Sequence, residues 1–265
     1  MGAPVFTQRW LGMQGIFGGF VLGRVVEAAD SVDGFAPQAV TMHFVAGVRP
    51  GPVELITETL HRGRSTASLR ITLAQQGRAR VHALASLVPV GQEFSWRRRE
   101  DPAPWGDPEQ LPAYAPRHRP LAYSAQLDVR AAGPPSLTDG TAAWVRISPQ
   151  TDLGETLGPH AVASVYLDAL PPGLFALAEP PHFVPSVDFT IHFAPDLGDV
   201  AGQWHHVTNR TVWSTAGFCV DESTLHDRAG NPIAQLRQGR AIQWRDPRPD
   251  RVQADAASPG AADGR

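Results

Sequence analysis

Apolar and polar positions follow two rhythms along this chain, and each rhythm occurs twice. A helical rhythm starts at Gly18-Gly19 and runs through FVLGRVVEAAD; a second starts at Gly158-Pro159 and runs through HAVASVYLDAL. Glycine or proline marks each start, and Pro171-Pro172 stops the second helix. A strand rhythm follows. Val187, Phe189, Ile191 and Phe193 point one way, while Asp188, Thr190 and His192 point the other. Further strand candidates are separated by turn signals at Gly51-Pro52, Gln76-Gly77, Gly198-Asp199 and Ala229-Gly230-Asn231-Pro232. One helix followed by an antiparallel meander, used twice, predicts an α+β fold in which a sheet wraps each helix. Small residues (Gly23, Ala28 and Ala29; Ala161, Ala163 and Ser164) let a curved sheet come close.

The two halves keep one register. Val40-Thr41-Met42-His43-Phe44 resembles Phe189-Thr190-Ile191-His192-Phe193, and the His-Phe pairs stand 149 positions apart. Ser65-Thr66-Ala67 and Ser214-Thr215-Ala216 repeat that offset. Residues 93–135 differ in kind, being rich in proline and arginine. They read as a linker held along the surface by Trp96, Trp105 and Tyr114. Residues 245–265 hold almost no large apolar side chain and are expected to be disordered.

Composition narrows the function. A net charge of -3 leaves no basic footprint for nucleic acid. All 23 basic residues are arginine, and a polyanionic ligand would need some of them placed locally. The one cysteine, Cys219, rules out a disulfide within the chain and a cysteine-rich zinc site. None of the ten histidines has metal-ligand spacing, so no metal or cofactor is expected. No apolar run reaches about 18 residues, so no membrane association is expected. No leader-like start is seen, and a cytoplasmic, reducing location is the expectation.

Three residues invite chemistry. Asp168 ends an apolar helix, where a carboxylate opposes the helix dipole. It is either a partly desolvated general base or a solvated acid at a helix end. Gln238, in PIAQLRQGRAI, shares parity with Ala234 and Leu236. On a core face its amide must find partners, and a water is one; on an outer face it is ordinary. Ser186 stands at a strand entrance and says little alone. His43 and His192 read as half-exposed strand residues, His205-His206 diverge, and Cys219 reads as buried and inert. There is no G-x-S-x-G, Walker A, H-E-x-x-H or C-x-x-C motif.

The segments GIFGGFVLGRVVEAAD, MHFVAGVRPGP and LHRGRSTASLRITLAQQGR in the first half, with VYLDALPP, PSVDFTIHF, TAGF and LHDRAGNPIAQLRQ in the second, resemble the acyl-CoA thioesterase II-like family. That resemblance implies a double hotdog: two antiparallel sheets, each wrapping a central helix. Residues 1–92 would form the N-terminal hotdog domain and 136–244 the C-terminal one, with the active-site residues in the latter. The family's Asp, Thr and Gln fall on Asp168, Ser186 and Gln238, with serine replacing threonine. The first half, with Pro37 in register with Ser186 and no acid before Glu27 in its helix, is expected to be silent.

The resemblance implies that water, oriented and deprotonated by Asp168 and held by Gln238 and Ser186, attacks the thioester directly. Gly18-Gly19 would offer backbone N–H groups to the thioester oxygen. Arg62, Arg64 and the Arg97-Arg98-Arg99 run are candidate CoA phosphate contacts, although a solvated linker also explains the run. The expected partner is acyl-CoA, and a homodimer is implied. Two other functions compete. One is a non-catalytic acyl-CoA-binding double hotdog. The other is an enoyl-CoA hydratase, which would lean on Asp188 and His192.

Overall fold

The computed structural model describes residues 4–91, 96–114, 121–151, 157–194 and 197–245. The elements run β1 (Val5–Phe6), α1 (Gly18–Ala29), β2 (Phe35–Phe44), β3 (Gly51–Pro52), β4 (Glu54–Arg62), β5 (Ala67–Gln75), β6 (Arg78–Pro89), β7 (Leu127–Arg130), β8 (Thr141–Ile147), α2 (Pro159–Leu167), β9 (Ser186–Phe193), β10 (His205–Ser214), β11 (Phe218–His226) and β12 (Pro232–Ala241). Both predicted helices and the alternating strand at 187–193 form where their patterns place them.

The repeat predicts two separate sheets, and here the structure corrects it. Among the described residues ten strands form one antiparallel sheet in the order β4-β5-β6-β2-β9-β12-β11-β10-β8-β7. The halves join where β2 pairs with β9, with Thr41 opposite Thr190. Their hydroxyls lie 3.3 Å apart. These threonines are also repeat equivalents, so a pseudo-twofold axis passes between them. The physical reason is edge satisfaction: two separate sheets would each leave a row of unpaired N–H and C=O groups at this seam.

Both helices lie on one face of the sheet. Val40 and Met42 of β2, Phe189 and Ile191 of β9, and the buried faces of α1 and α2 join in a single core. α2 is buried on every side from His160 to Leu167, which explains its nearly uniform apolar sequence. The helices touch at Gly23, where a Cβ would stand 2.9 Å from the Ala161 carbonyl oxygen.

The segment expected as a surface linker does more than connect. Among its described residues, β7 extends the sheet by pairing with β8. Trp105 stacks on His206 with ring centroids 4.0 Å apart, on the face of β10 turned away from α2. Trp144 Nε1 donates to the carbonyls of Trp105 and Gly106, and Trp204 Nε1 donates to Glu109 Oε1 at 2.7 Å. Tyr114 packs against the core, but Trp96 is 75% exposed and anchors nothing by burial. The expected disordered tail lies, beyond Arg245, outside the described residues. Among the described residues no helix is long and apolar enough to cross a membrane.

Candidate active site

Asp168 caps the C-terminus of α2 and is 7% exposed. Its own helix dipole disfavours the charge, but the N-terminus of the neighbouring helix compensates. The Gly19 N–H of α1 donates to Asp168 Oδ2 at 2.8 Å. The glycines are there for proximity. A Cβ at Gly19 would stand 2.9 Å from Asp168 Cβ, and one at Gly18 would stand 3.0 Å from Asp168 Oδ2. This corrects the expected role of Gly19: its N–H holds the carboxylate rather than awaiting a thioester oxygen.

Gln238 lies on the core face of β12 with Ala234 and Leu236, and only 2% of it is exposed. Ser186 reaches the same face through a β-bulge. β12 pairs Gly239 with Asp188 but Arg240 with Ser186, which leaves Val187 as the extra residue. Strict alternation would have put Ser186 on the outer face beside Asp188. The bulge turns it inward, and Gln238 Nε2 donates to Ser186 Oγ.

The residue that organises the site is Arg240, 6% exposed. Its Nη2 donates to Asp168 Oδ1 at 3.2 Å and to Gln238 Oε1 at 2.6 Å. Its Nη1 donates to Ser186 Oγ and to the Val184 carbonyl, both at 3.4 Å. Its Nε lies 2.8 Å from Asp221 Oδ2. Thr211 Oγ1 in turn donates to Asp221 Oδ1 at 2.7 Å. One guanidinium therefore touches all three expected site side chains and is flanked by two buried carboxylates.

This arrangement fixes proton positions. A guanidinium only donates, so the Gln238 carbonyl must face Arg240 and its NH2 must face Ser186. Ser186 Oγ accepts from both neighbours, which leaves its O–H to point elsewhere. Burial raises the pKa of Asp168; the Arg240 charge, the Gln238 amide and the Gly19 N–H pull it back down. Tyr123, from the segment between the halves, has its phenol pKa raised by burial and then by the Asp168 charge. It is therefore a donor at neutral pH. Burial, followed by the Asp221 charge, pushes Cys219 up to about 12, which removes it as a nucleophile.

Other candidates lie elsewhere. Arg62 Nη2 donates to the Asp33 carbonyl, beyond the C-terminus of α1, whereas Asp168 sits at its N-terminus. A 12-residue helix separates those ends by about 18 Å. Arg64 is exposed in the turn between β4 and β5. Arg99 Nε donates to the Ala229 carbonyl, in the turn before β12. Asp188 and His192 lie on the face of β9 opposite Phe189 and Ile191, away from the helices. His205 and His206 diverge as expected. His205 approaches Tyr166 of α2 and His206 approaches Trp105, and both are buried.

Arg240, Asp221 and Tyr123 are absent from the sequence reading. A signal existed for the first two. Arg240 shares the parity of Gln238 along β12, and an inward arginine requires a buried acid.

Two family profiles match the chain in order. One described as the acyl-CoA thioesterase N-terminal domain covers residues 6–88, and one described as the acyl-CoA thioesterase C-terminal domain covers residues 99–242. No curated protein matches the sequence. Among solved structures, the chain is similar to a provisionally assigned thioesterase II from Thermobifida fusca, with TM-score 0.75, 20% identity and 91% of each chain covered. It is similar to a hot dog fold protein of unknown function from Alicyclobacillus acidocaldarius, with TM-score 0.74, 21% identity, and 89% of this chain and 90% of that one covered. An acyl-CoA thioesterase II from Mycobacterium marinum aligns with TM-score 0.66 at 19% identity, covering 87% of this chain and 90% of that one. At these identities the structures support the hotdog fold alone.

Proposed function

The chain belongs to the acyl-CoA thioesterase family, and on that premise we propose that it hydrolyses an acyl-CoA thioester to free acid and CoA by direct attack of water. The observation that carries this reading is the convergence of Asp168, Gln238 and Ser186 on one buried guanidinium.

A thioester carbonyl needs a nucleophile and a place for negative charge. The Cys219 thiol is unreactive, and the Asp168 carboxylate is bound at both oxygens by Gly19 and Arg240. A carboxylate offers about four lone-pair directions, so Asp168 can still accept a proton from a water. That water would accept a hydrogen bond from the Ser186 O–H or from the second N–H of Gln238, and give its proton to Asp168. Held this way it attacks along one direction rather than many. Arg240 stabilises the ionised form of a base that burial would otherwise protonate. Gly18 lies in the first turn of α1, where backbone N–H groups lack helical partners, and we assign the developing oxyanion to it. The first-half and second-half hotdog units meet at this point, so one active site per chain is built from both.

A binding-only reading draws on the same guanidinium, which holds Asp168, Gln238 and Ser186 together whether or not a water is activated there. Thiol release from an acyl-CoA panel separates the two. Release that is lost in Asp168→Asn supports hydrolysis, whereas CoA-ester binding without release by the wild type supports the alternative.

A further inference from the structure

Two histidines stand side by side on the outer face of the second half, under the segment that joins the halves. His206 of β10 lies directly opposite His226 of β11, and Trp144 of β8 is the next residue in the same row. His206 is 3% exposed and His226 is 2% exposed. Trp105 closes over the row: its ring centroid lies 4.0 Å from that of His206 and 5.2 Å from that of His226. Trp144 meets His206 edge-on at 5.2 Å. Among the described residues neither buried Nδ1 atom has a hydrogen-bond partner.

These contacts suit neutral imidazoles. Protonation would place two like charges, with ring centroids 6.4 Å apart, in an aromatic layer that returns few hydrogen bonds. Burial, and then the neighbouring His226, hold the His206 pKa down at about 3. Burial lowers His226 too, against the opposing charges of Glu100 and then Asp227. Glu100 Oε1 reaches His226 Nε2 at 3.6 Å, but its side chain is 56% exposed and screened by water. The Asp227 carboxylate already accepts from the Ala229 and Asn231 N–H groups and from the Asn231 side-chain amide. The other charges around the row are engaged elsewhere. Arg99 donates to the Ala229 carbonyl, Arg228 pairs with Asp107, Arg146 pairs with Glu109 and Asp128, and Asp101 accepts from the Ala103 N–H. His205 faces Tyr166 on the other side of the sheet. An imidazolium at 206 would gain a cation–π contact with Trp105, which offsets only part of two desolvated charges.

The covering segment, residues 99–109, is the part that can move. Its helical structure is a single turn, Ala103–Trp105, and most of its residues are exposed. A few bonds hold it down: the Glu100 N–H donates to the Gly230 carbonyl at 2.9 Å, and Trp144 Nε1 donates to the carbonyls of Trp105 and Gly106. A segment with so few buried apolar contacts opens at lower cost than the strands beneath it. We infer that residues 99–109 form an acid-sensitive latch, closed over His206 and His226 while both rings are neutral and lifted when the rings take up protons. The open rings titrate near 6.5 and the closed ones lower. Closure is therefore fully favoured above 6.5 and weakens as pH falls below it. Two pH units below 6.5, each ring kept neutral by closure lowers the closed-to-open ratio by about 100-fold. The latch lies on the sheet face opposite Asp168 and does not depend on the chemistry proposed there.

Fluorine NMR of the full chain labelled with fluorotryptophan can follow Trp105, assigned through Trp105→Phe, as pH falls from about 8 to about 4. Far-UV circular dichroism over the same range reports the fold. The Trp105 signal should leave its stacked position below pH 6.5 while the dichroism holds. The double variant His206→Phe, His226→Phe keeps aromatic rings and removes the titration, so the change should move to lower pH by about one unit or more. Glu100→Gln removes the carboxylate that favours protonated His226 in the closed state, so the change should move to higher pH. His206→Phe alone should shift it in the same direction as the pair, by less, and carries the test if the double variant does not fold. A Trp105 signal that stays in place until the dichroism is lost would overturn the inference. So would a change at one and the same pH in the wild type, the Phe variants and Glu100→Gln.

Discussion

At one end of the paired helices Asp168 caps α2 and meets the start of α1; at the other, Asp30 caps α1 and meets the start of α2. Asp30 Oδ2 lies 3.7 Å from His160 Nδ1, in the first turn of α2. The strand ladders extend the comparison. In the second half, β12 places Arg240 opposite Ser186 and Gln238 opposite Phe189, and β11 places Asp221 opposite Gln238. In the first half, β6 places Leu87 opposite Pro37 and Ala85 opposite Val40, and β5 places Leu69 opposite Ala85. Even the bulge is repeated, between Pro37 and Ala39. The backbone frame for a second site therefore exists, but Pro37, Ala85, Leu87 and Leu69 stand where Ser186, Gln238, Arg240 and Asp221 stand in the other. The aspartates differ in solvation too: the Asp30 side chain is 36% exposed and that of Asp168 is 6% exposed. A carboxylate at the right place in the fold is not enough. A base needs desolvation to raise its proton affinity and a counter-charge to keep it ionised.

Five substitutions can break or sharpen this contrast. Asp168→Asn keeps the shape and removes the proposed base, so turnover should fall by about 100- to 10,000-fold with the protein still folded. A steady-state assay with a thermal melt checks both. Arg240→Leu installs the first half's residue in the second. It leaves two buried carboxylates without their cation, at a cost of about 3–5 kcal/mol in stability. Denaturant unfolding measures that loss.

The same variant has a signed pH consequence. Asp168 has a native pKa above its ordinary 3.8, so the native state loses stability as pH rises from 3.8 through that value. On the proposed mechanism activity needs the ionised form and should rise through the same window. Removing the lowering influence of Arg240 should move the acid limb of the rate profile to higher pH. Arg240→Lys keeps the charge but not the fork, and should leave the limb closer to the wild type.

Smaller effects follow. Gln238→Ala, which copies Ala85, should reduce kcat by about tenfold, the equivalent of one hydrogen bond to the water. Asp30→Asn should change turnover by no more than about twofold, as expected for an exposed acid outside the chemistry. Parallel kinetics of the two Asn variants give the comparison directly.

Much of this is legible in the sequence. The offset of 149 positions that aligned the two His-Phe strands is the separation of Thr41 and Thr190, which now touch. Helix-end placement singled out Asp168, and parity singled out Gln238. What escaped has definite causes. Ser186 faces inward only because of a bulge, which alternation does not reveal. Arg240 and Asp221 each look like surface charges alone; their burial depends on each other and on strands far apart in sequence. Asp30 gives no signal in the strand register, because the helices correspond by their ends and not by the 149-residue offset. The segment between the halves reads as linker by composition, yet it contributes a strand and the cover over His206. The two expected sheets merged because a repeat specifies each half but not its seam.

The most direct test compares two titrations of the wild-type protein. Carbon-13 NMR of labelled aspartate, assigned through Asp168→Asn, gives the pH at which the Asp168 carboxylate ionises in the free enzyme. The acid limb of kcat/KM gives the pH at which the free enzyme becomes competent. If Asp168 takes the proton from water, the two midpoints coincide, both above 3.8. A carboxylate already ionised throughout the range in which the rate climbs would show that another group controls the attack.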